Sequence, residues 1–306
     1  MMCKKLRVIR FILRLTLIFI IMISIAVSIQ TIKVNRQIEQ FINRATTSES
    51  DTVLFSDGTI EERMYHPIKR EYDYETNDIR SVFSHDEDKK FIGQKGDIFV
   101  TQESPFPSIF GVHQIMTFYV GGHAALHNGN DQFLEAVGFP GPDESILDII
   151  RDPSDGTHNF SVGVRKSNTN YWMLPNFRNE SHKDYPYYGN YYRKQFTVLR
   201  VKNIDEGQLD LTLDYANMHY ENRSLYNFLF FFDMKNKFYC TDFISRSYRH
   251  AINHTEKDET FPKTLNDNGF VTTVNDLILS KDTYISVYVE NKDGIRHIYY
   301  LADSNE

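Results

Sequence analysis

Gly122-His123-Ala124-Ala125-Leu126-His127-Asn128 and Gln132-Phe133-Leu134-Glu135-Ala136-Val137 are two short apolar-rich runs across a turn at Gly129. Such a pair reads as a β-hairpin. His123 begins the first run and Glu135 lies inside the second, so the turn decides whether the two side chains meet. Side chains alternate between the faces of a strand, and a one-residue slip moves Glu135 to the far face. A three-residue loop, Asn128–Asn130, sets position 123 opposite 135. A four-residue loop, Asn128–Asp131, sets 123 opposite 136. A His–Glu pair therefore requires the odd loop or a bulge. Failing that, His123 is an ordinary packed or surface residue.

Outward from the hairpin, the elements alternate irregularly. Gly96-Asp97-Ile98-Phe99-Val100 is a turn feeding a short strand, and Phe196–Val201 is another strand. Residues 205–220 place Leu209, Leu213, Ala216 and Tyr220 on one face, which predicts a helix. From Cys240 to Ala251, Phe243, Ile244, Ser247 and Tyr248 fall at i, i+1, i+4 and i+5, again helical. Residues 284–289 and 295–301 form a late hairpin across Asn291–Gly294. Antiparallel strands with helices grouped apart from them predict an α+β fold, not a βαβ sheet. No internal repeat is present.

The N-terminus has a different character. Residues 1–10 carry Lys4, Lys5, Arg7 and Arg10, and from Phe11 to Ile32 the only charge is Arg14. As a helix that stretch runs about 33 Å, enough to cross a hydrocarbon core of about 30 Å. Arg14 lies close enough to the basic flank to snorkel toward headgroups. Five cations and no anion before residue 31 put the N-terminus inside. The competing reading is a cleaved signal peptide with Ala26-Val27-Ser28 at its end, but the apolar core is long for that role. In either case the remainder is extracytoplasmic, anchored by a single pass or secreted. Val34, Ile38, Phe41 and Ile42 continue a helical stripe outward, and residues 46–90 are mostly polar. The expected organisation is a basic flank over 1–10, a membrane anchor over 11–32, a helical stalk and lead-in over 33–90, and a catalytic domain over 91–306.

Composition excludes several classes. The 306 residues are 41% hydrophobic and 14% aromatic, with 23 Phe and 19 Tyr, which suits a buried core rather than disorder. Setting aside the five N-terminal cations leaves 29 Lys and Arg against 41 Asp and Glu, so residues 31–306 carry −12. A body this acidic lacks the footprint of a nucleic-acid binder. Two cysteines, Cys3 and Cys240, exclude a disulfide framework or a Cys-rich metal module.

Topology separates those cysteines and leaves Cys240 alone outside. It stands in Phe238-Tyr239-Cys240-Thr241-Asp242, where a strand-like run gives way to a helix. There the helix dipole and unpaired N–H groups favour a thiolate, and the same N–H groups suit an acyl-transfer oxyanion. A buried, inert cysteine is the competing reading. A thiolate needs a base, and the base needs an orienting group. His123 and Glu135 are the candidates. His123 and His127 sit about 13 Å apart on a strand, too far to share a metal. The Tyr-rich segment Tyr185–Tyr192 is a candidate groove lining or a packed rim.

In order, Gly96-Asp97-Ile98, Gly122-His123-Ala124 with Phe133-Leu134-Glu135-Ala136, Val198-Leu199-Arg200, Tyr226-Asn227-Phe228 and Tyr239-Cys240-Thr241-Asp242-Phe243 resemble the permuted papain-like amidase family of the YaeF/YiiX type. The set is more distantly similar to NlpC-type peptidases and lecithin retinol acyltransferases. The resemblance covers roughly residues 91–290. It implies a circularly permuted papain-like fold with His ahead of Cys, Cys240 as nucleophile, His123 as base and Glu135 as its orienting partner. Tyr239, Thr241 and Asp97 are the weaker substrate-pocket candidates. Thr241 replaces the family's usual Ser, and Ala124-Ala125-Leu126 replaces its usual Val-Gly-Ile. The implied activity is a cysteine hydrolase acting on an amide or ester, in cell-wall peptide or lipid, with no metal or organic cofactor. An acyltransferase or a non-catalytic module binding peptide or lipid in the same groove is the alternative.

Overall fold

The computed structural model describes the chain apart from residues 1, 86–88, 110, 112–116, 118–121, 158, 231, 233, 256–264, 266–270 and 304–306. Its helices are α1 (Met2–Ile42), α2 (Asp73–Thr76), α3 (Ile146–Arg151), α4 (Tyr185–Tyr188), α5 (Glu206–Glu221), α6 (Cys240–Thr255) and α7 (Val274–Leu279). The strands are β1 (Glu49–Leu54), β2 (Ile60–Ile68), β3 (Ile98–Thr101), β4 (His123–Gly129), β5 (Gln132–Val137), β6 (Gly163–Lys166), β7 (Gln195–Val201), β8 (Leu225–Tyr226), β9 (Lys237–Phe238), β10 (Thr283–Lys292) and β11 (Ile295–Leu301). Nine of the strands make one mixed sheet in the order β1-β2-β11-β10-β7-β3-β4-β5-β6. Helix α5 packs on α6, and α6 packs on β4 and β5. The α+β class expected from the sequence is the class observed.

Local chemistry explains the elements nearest the site. Asp205 caps α5 by accepting from the Gln208 amide, while the Gln208 side chain accepts from the Asp205 amide. That reciprocal box satisfies two N–H groups the helix itself leaves unpaired. On the inner face Leu209, Leu213 and Ala216 are buried. In the late hairpin, Asp293 and Gly294 hold positive φ (53° and 85°) between β10 and β11. Such a turn matches the twist of its flanking strands.

The β4–β5 hairpin closes differently from either loop considered above. Asn130 (φ 50°) and Asp131 (φ 55°) form a two-residue turn, with Gly129 paired to Gln132. Next along, His127 pairs with Phe133, so β4 spends two residues where β5 spends one. Asn128 is the extra residue of a β-bulge. Beyond it Leu126 pairs with Leu134, and the same register sets Ala125 opposite Glu135. His123 is thus on the face of Glu135 and diagonal to it, at a spacing long side chains can bridge. Without the bulge the two would lie on opposite faces.

Residues 33–90 do more than the stalk and lead-in expected of them. Helix α1 runs on without a break to Ile42, and Val34 and Phe41 are buried against the domain. Gln30 Nε2 donates to Asp276 Oδ1 (3.2 Å) and Gln37 Nε2 to the Ile278 carbonyl (3.1 Å), fixing α1 to α7. Burying the two apolar side chains is worth about 1.5–3 kcal/mol each. Strands β1 and β2 then extend the sheet, β2 pairing parallel to β11. The first two inward positions of β2 are charged: Arg63 Nε donates to Glu61 Oε2 (2.6 Å), and Arg296 Nε of β11 lies 3.1 Å from Glu61 Oε1.

Helix α1 is the one helix among the described residues long and apolar enough to span a membrane. It is exposed on every side from Phe11 to Met22. The basic flank before Arg10 lies outside the described side chains.

Candidate active site

Three elements converge on one point. Cys240 is the first residue of α6, His123 the first of β4, and Glu135 sits mid-way along β5. All three are nearly buried, at 9%, 8% and 9% exposure, so they meet largely sheltered from solvent. His123 Nε2 donates to Glu135 Oε2, and Cys240 engages the same imidazole through its side chain. With Nε2 committed to the carboxylate, Nδ1 is the ring nitrogen left for the sulfur.

Burial by itself lowers the basicity of an imidazole. Here Tyr192, the Cys240 hydrogen bond and the Glu135 carboxylate outweigh burial and raise His123 well above its ordinary value. The Tyr171 hydroxyl donates to the same Glu135 oxygen at 2.8 Å. Burial first, and then Glu135, push the Tyr171 phenol well up, so it stays a donor. The Trp172 ring lies parallel to the His123 ring (centroids 6.2 Å, 11°), and Tyr192 meets it edge-on at 6.5 Å. These rings restrict the imidazole plane.

On the cysteine side, the Phe243 amide donates to the Tyr239 carbonyl at 2.9 Å, which makes Tyr239 the residue that opens α6. The Cys240, Thr241 and Asp242 amides precede that first helical bond and lie at the positive end of the helix dipole. Thr241 Oγ1 donates to the Thr272 carbonyl (2.6 Å), and the Thr272 amide donates to the Tyr239 hydroxyl (2.9 Å). Tyr239 and Thr241 therefore anchor the start of α6 to the approach of α7, with their polar groups committed to protein. Tyr226, partly buried, lies close enough to Cys240 that burial, and then the sulfur, raise its phenol well above the usual range. Gly138 leaves room for that ring, since an added Cβ would stand 2.6 Å from it.

Asp97 is not brought to this point. It precedes β3 at the end away from His123, because Thr101, not Ile98, pairs with His123. There Arg200 Nε and Nη2 donate to its two oxygens (2.9 and 3.2 Å), and the Gln94 amide donates to Oδ2 (3.0 Å). Together with Asp78 and Arg80 it forms a buried ion cluster between β3, β7 and the loop before β3. Its role in the fold is to satisfy Arg200.

Sequence reasoning missed Tyr171 and Trp172, which stand in an irregular segment where no periodicity applies. The one available signal was that Trp172 is the chain's single tryptophan. Tyr192 belongs to the tyrosine-rich run Tyr185–Tyr192, whose sequence carries no sign of its position beside His123. Among the described residues no group of His, Cys, Asp and Glu is arranged to hold a metal ion. No family model, no curated protein and no solved structure matches the chain.

Proposed function

We propose that the chain is a membrane-anchored, extracytoplasmic cysteine hydrolase of permuted papain-like build that cleaves an amide or ester bond through an acyl-enzyme. The supporting observation is the contact order Cys240–His123–Glu135, with the sulfur at a helix N-terminus and the imidazole locked by its second nitrogen. His123 takes the Cys240 proton as Sγ attacks the carbonyl carbon. The first-turn amides of α6, including that of Cys240, stabilise the tetrahedral oxyanion. Glu135 holds the imidazole in the required orientation and favours its protonated form. His123 then protonates the leaving amine or alkoxide as the C–N or C–O bond breaks. Water, activated by the same imidazole, attacks the thioester and regenerates the thiol.

Cell-wall peptide and lipid acyl chains are both substrates of this chemistry. Four cations before Phe11, with Arg14 just inside the apolar run, support an α1 whose N-terminus is inside and a domain that is outside. Intact-mass analysis after incubation with a wall-derived peptide or with a phospholipid tests the proposal. A mass increment equal to the acyl part, located on Cys240 and lost in Cys240→Ser, is the expected result. No adduct with either substrate, together with alkylation of Cys240 unaffected by His123→Ala, would sink the hydrolase proposal.

A further inference from the structure

The direction in which α1 leaves the domain bears on where the site lies relative to a bilayer. Thr101 pairs with His123, and Gln195 pairs with Glu290, so these residues mark one end of the sheet. At that same end Asn35, Ile38, Glu39 and Ile42 of α1 face Thr101, Gln102, Gln195 and Glu290 across a cleft of about 370 Å³. Five residues N-terminal to Asn35, Gln30 touches Asp276 in the first turn of α7. Toward its C-terminal side α1 crosses to the other end, where Arg44 meets Glu75 and donates to the Lys69 carbonyl just past β2 (2.9 Å). The exposed apolar part of α1 thus projects beyond the end that holds Cys240 and His123. The link is short: Thr241 bonds Thr272, Thr273 caps α7, and Asp276 of its first turn bonds Gln30. From Ile23 to Thr31 one side of α1 is already half-covered. That is a length of about 12–15 Å over which the domain overlaps the apolar run.

Exposed apolar side chains gather at this end. Leu54 and Ile60 face each other across the β1–β2 turn, 63% and 66% exposed. Phe139, two residues past β5, packs at a tilt against Phe106, which follows β3 (centroids 5.1 Å, 56°), with Ile109 exposed beside it. Phe177 is exposed next to Tyr171 and Tyr192. At the opposite end Lys95 pairs with both Glu206 and Asp210. Aromatic and aliphatic tips of this kind suit the boundary between headgroups and acyl chains.

We propose that the site-bearing end of the domain rests on the bilayer that α1 crosses, with Leu54, Ile60, Ile109, Phe139 and Phe177 entering its surface and the site of Cys240 opening at headgroup depth. This rests on α1 being a membrane span, and the partner is the lipid bilayer itself. The test uses the full chain with Cys3→Ser and Cys240→Ser, carrying a single cysteine from Ile60→Cys, Phe139→Cys or Ile79→Cys. Ile79 is 87% exposed and lies beside Asp78 and Arg80 at the far end. Each variant is labelled with a small environment-sensitive fluorophore and reconstituted into phosphatidylcholine vesicles with or without a lipid bearing a nitroxide high on its acyl chain. Labels at positions 60 and 139 are expected to lose at least half their emission to the nitroxide lipid while the label at 79 keeps its own. Equal quenching at all three positions, in protein that floats with the vesicles after an alkaline wash, overturns the orientation alone. Protein that fails to float overturns the membrane span and the orientation together. Catalysis enters neither readout.

Discussion

Glu135→Gln separates charge from shape at the candidate site. Glu135 Oε2 accepts from both His123 Nε2 and the Tyr171 hydroxyl, so a single amide oxygen in glutamine can keep both hydrogen bonds. The negative charge is all that is lost. Against burial, His123 is held above its ordinary basicity by Tyr192, Cys240 and Glu135, and Glu135 acts twice, through the bond and through its charge. An opposite charge in contact moves a partner's pKa by about 1–3 units, which is about 1.4–4 kcal/mol. The thiolate–imidazolium pair then loses about ten- to a thousandfold in equilibrium against the neutral thiol–imidazole pair. In a Cys3→Ser background, iodoacetamide reads Cys240 alone. The alkylation rate at pH 6.5 is expected to fall by about one to three orders of magnitude in Glu135→Gln. The profile should move toward that of an ordinary thiol, which titrates near about 8.5. An alkylation profile within twofold of the parent's across pH 5–9, in protein with unchanged circular dichroism, refutes the idea that Glu135 biases the Cys–His pair.

Three other outcomes follow from the same structure. Deleting Asn128 removes the bulge that puts His123 and Glu135 on one face, so fast alkylation of Cys240 should disappear. Asn128→Ala keeps the residue count and should leave alkylation unchanged, which makes the pair of variants a test of register rather than side chain. Glu61→Gln leaves the buried guanidinium groups of Arg63 and Arg296 without a counter-charge, and breaking such a cluster costs about 3–5 kcal/mol in a denaturant titration. His219 is pushed down to about 4 by burial and then by Arg246 and His250. Its unfolded form takes up a proton first, so its contribution is present above about pH 6.5 and lost as pH falls toward 4. Melts between pH 7 and pH 4.5 should drop less in His219→Gln than in the parent, by up to about 3 kcal/mol. His123 works the other way. Its raised value makes its contribution complete below the ordinary imidazole range and lost as pH climbs through the raised one.

What could be read from the chain was local. The α6 start at Cys240, both hairpins and the Leu209, Leu213 and Ala216 part of the α5 stripe follow from spacing within a dozen residues, whereas Tyr220, read onto the same face, is 40% exposed. The meeting of His123 and Glu135 was legible only as a condition, an odd loop or a bulge. The run Asn128-Gly129-Asn130-Asp131 tolerates positive φ at several positions, so it announces a turn without fixing its alignment. Strands β1 and β2 were hidden for a specific reason. Period-2 patterning is sought in apolar residues, and the first two inward positions of β2, ahead of Tyr65, are Glu61 and Arg63, which become intelligible only beside Arg296. Asp97 was drawn toward the site by its place in a motif, while its chemistry belongs to Arg200.

The parallel pairing of β2 with β11 has a consequence in time. Arg63 finds Arg296 opposite it, roughly 230 residues later in the chain. At about 5–20 residues per second, synthesis leaves the β1–β2 hairpin waiting some ten to fifty seconds for its neighbour. An apolar edge strand waiting that long beside other nascent chains would recruit them. Glu61 and Arg63 on the waiting face make such recruitment costly, and Arg296 converts the same charges into a fastening once the last strand arrives. Charge that obscures the strand in the sequence is what keeps the unfinished sheet to itself.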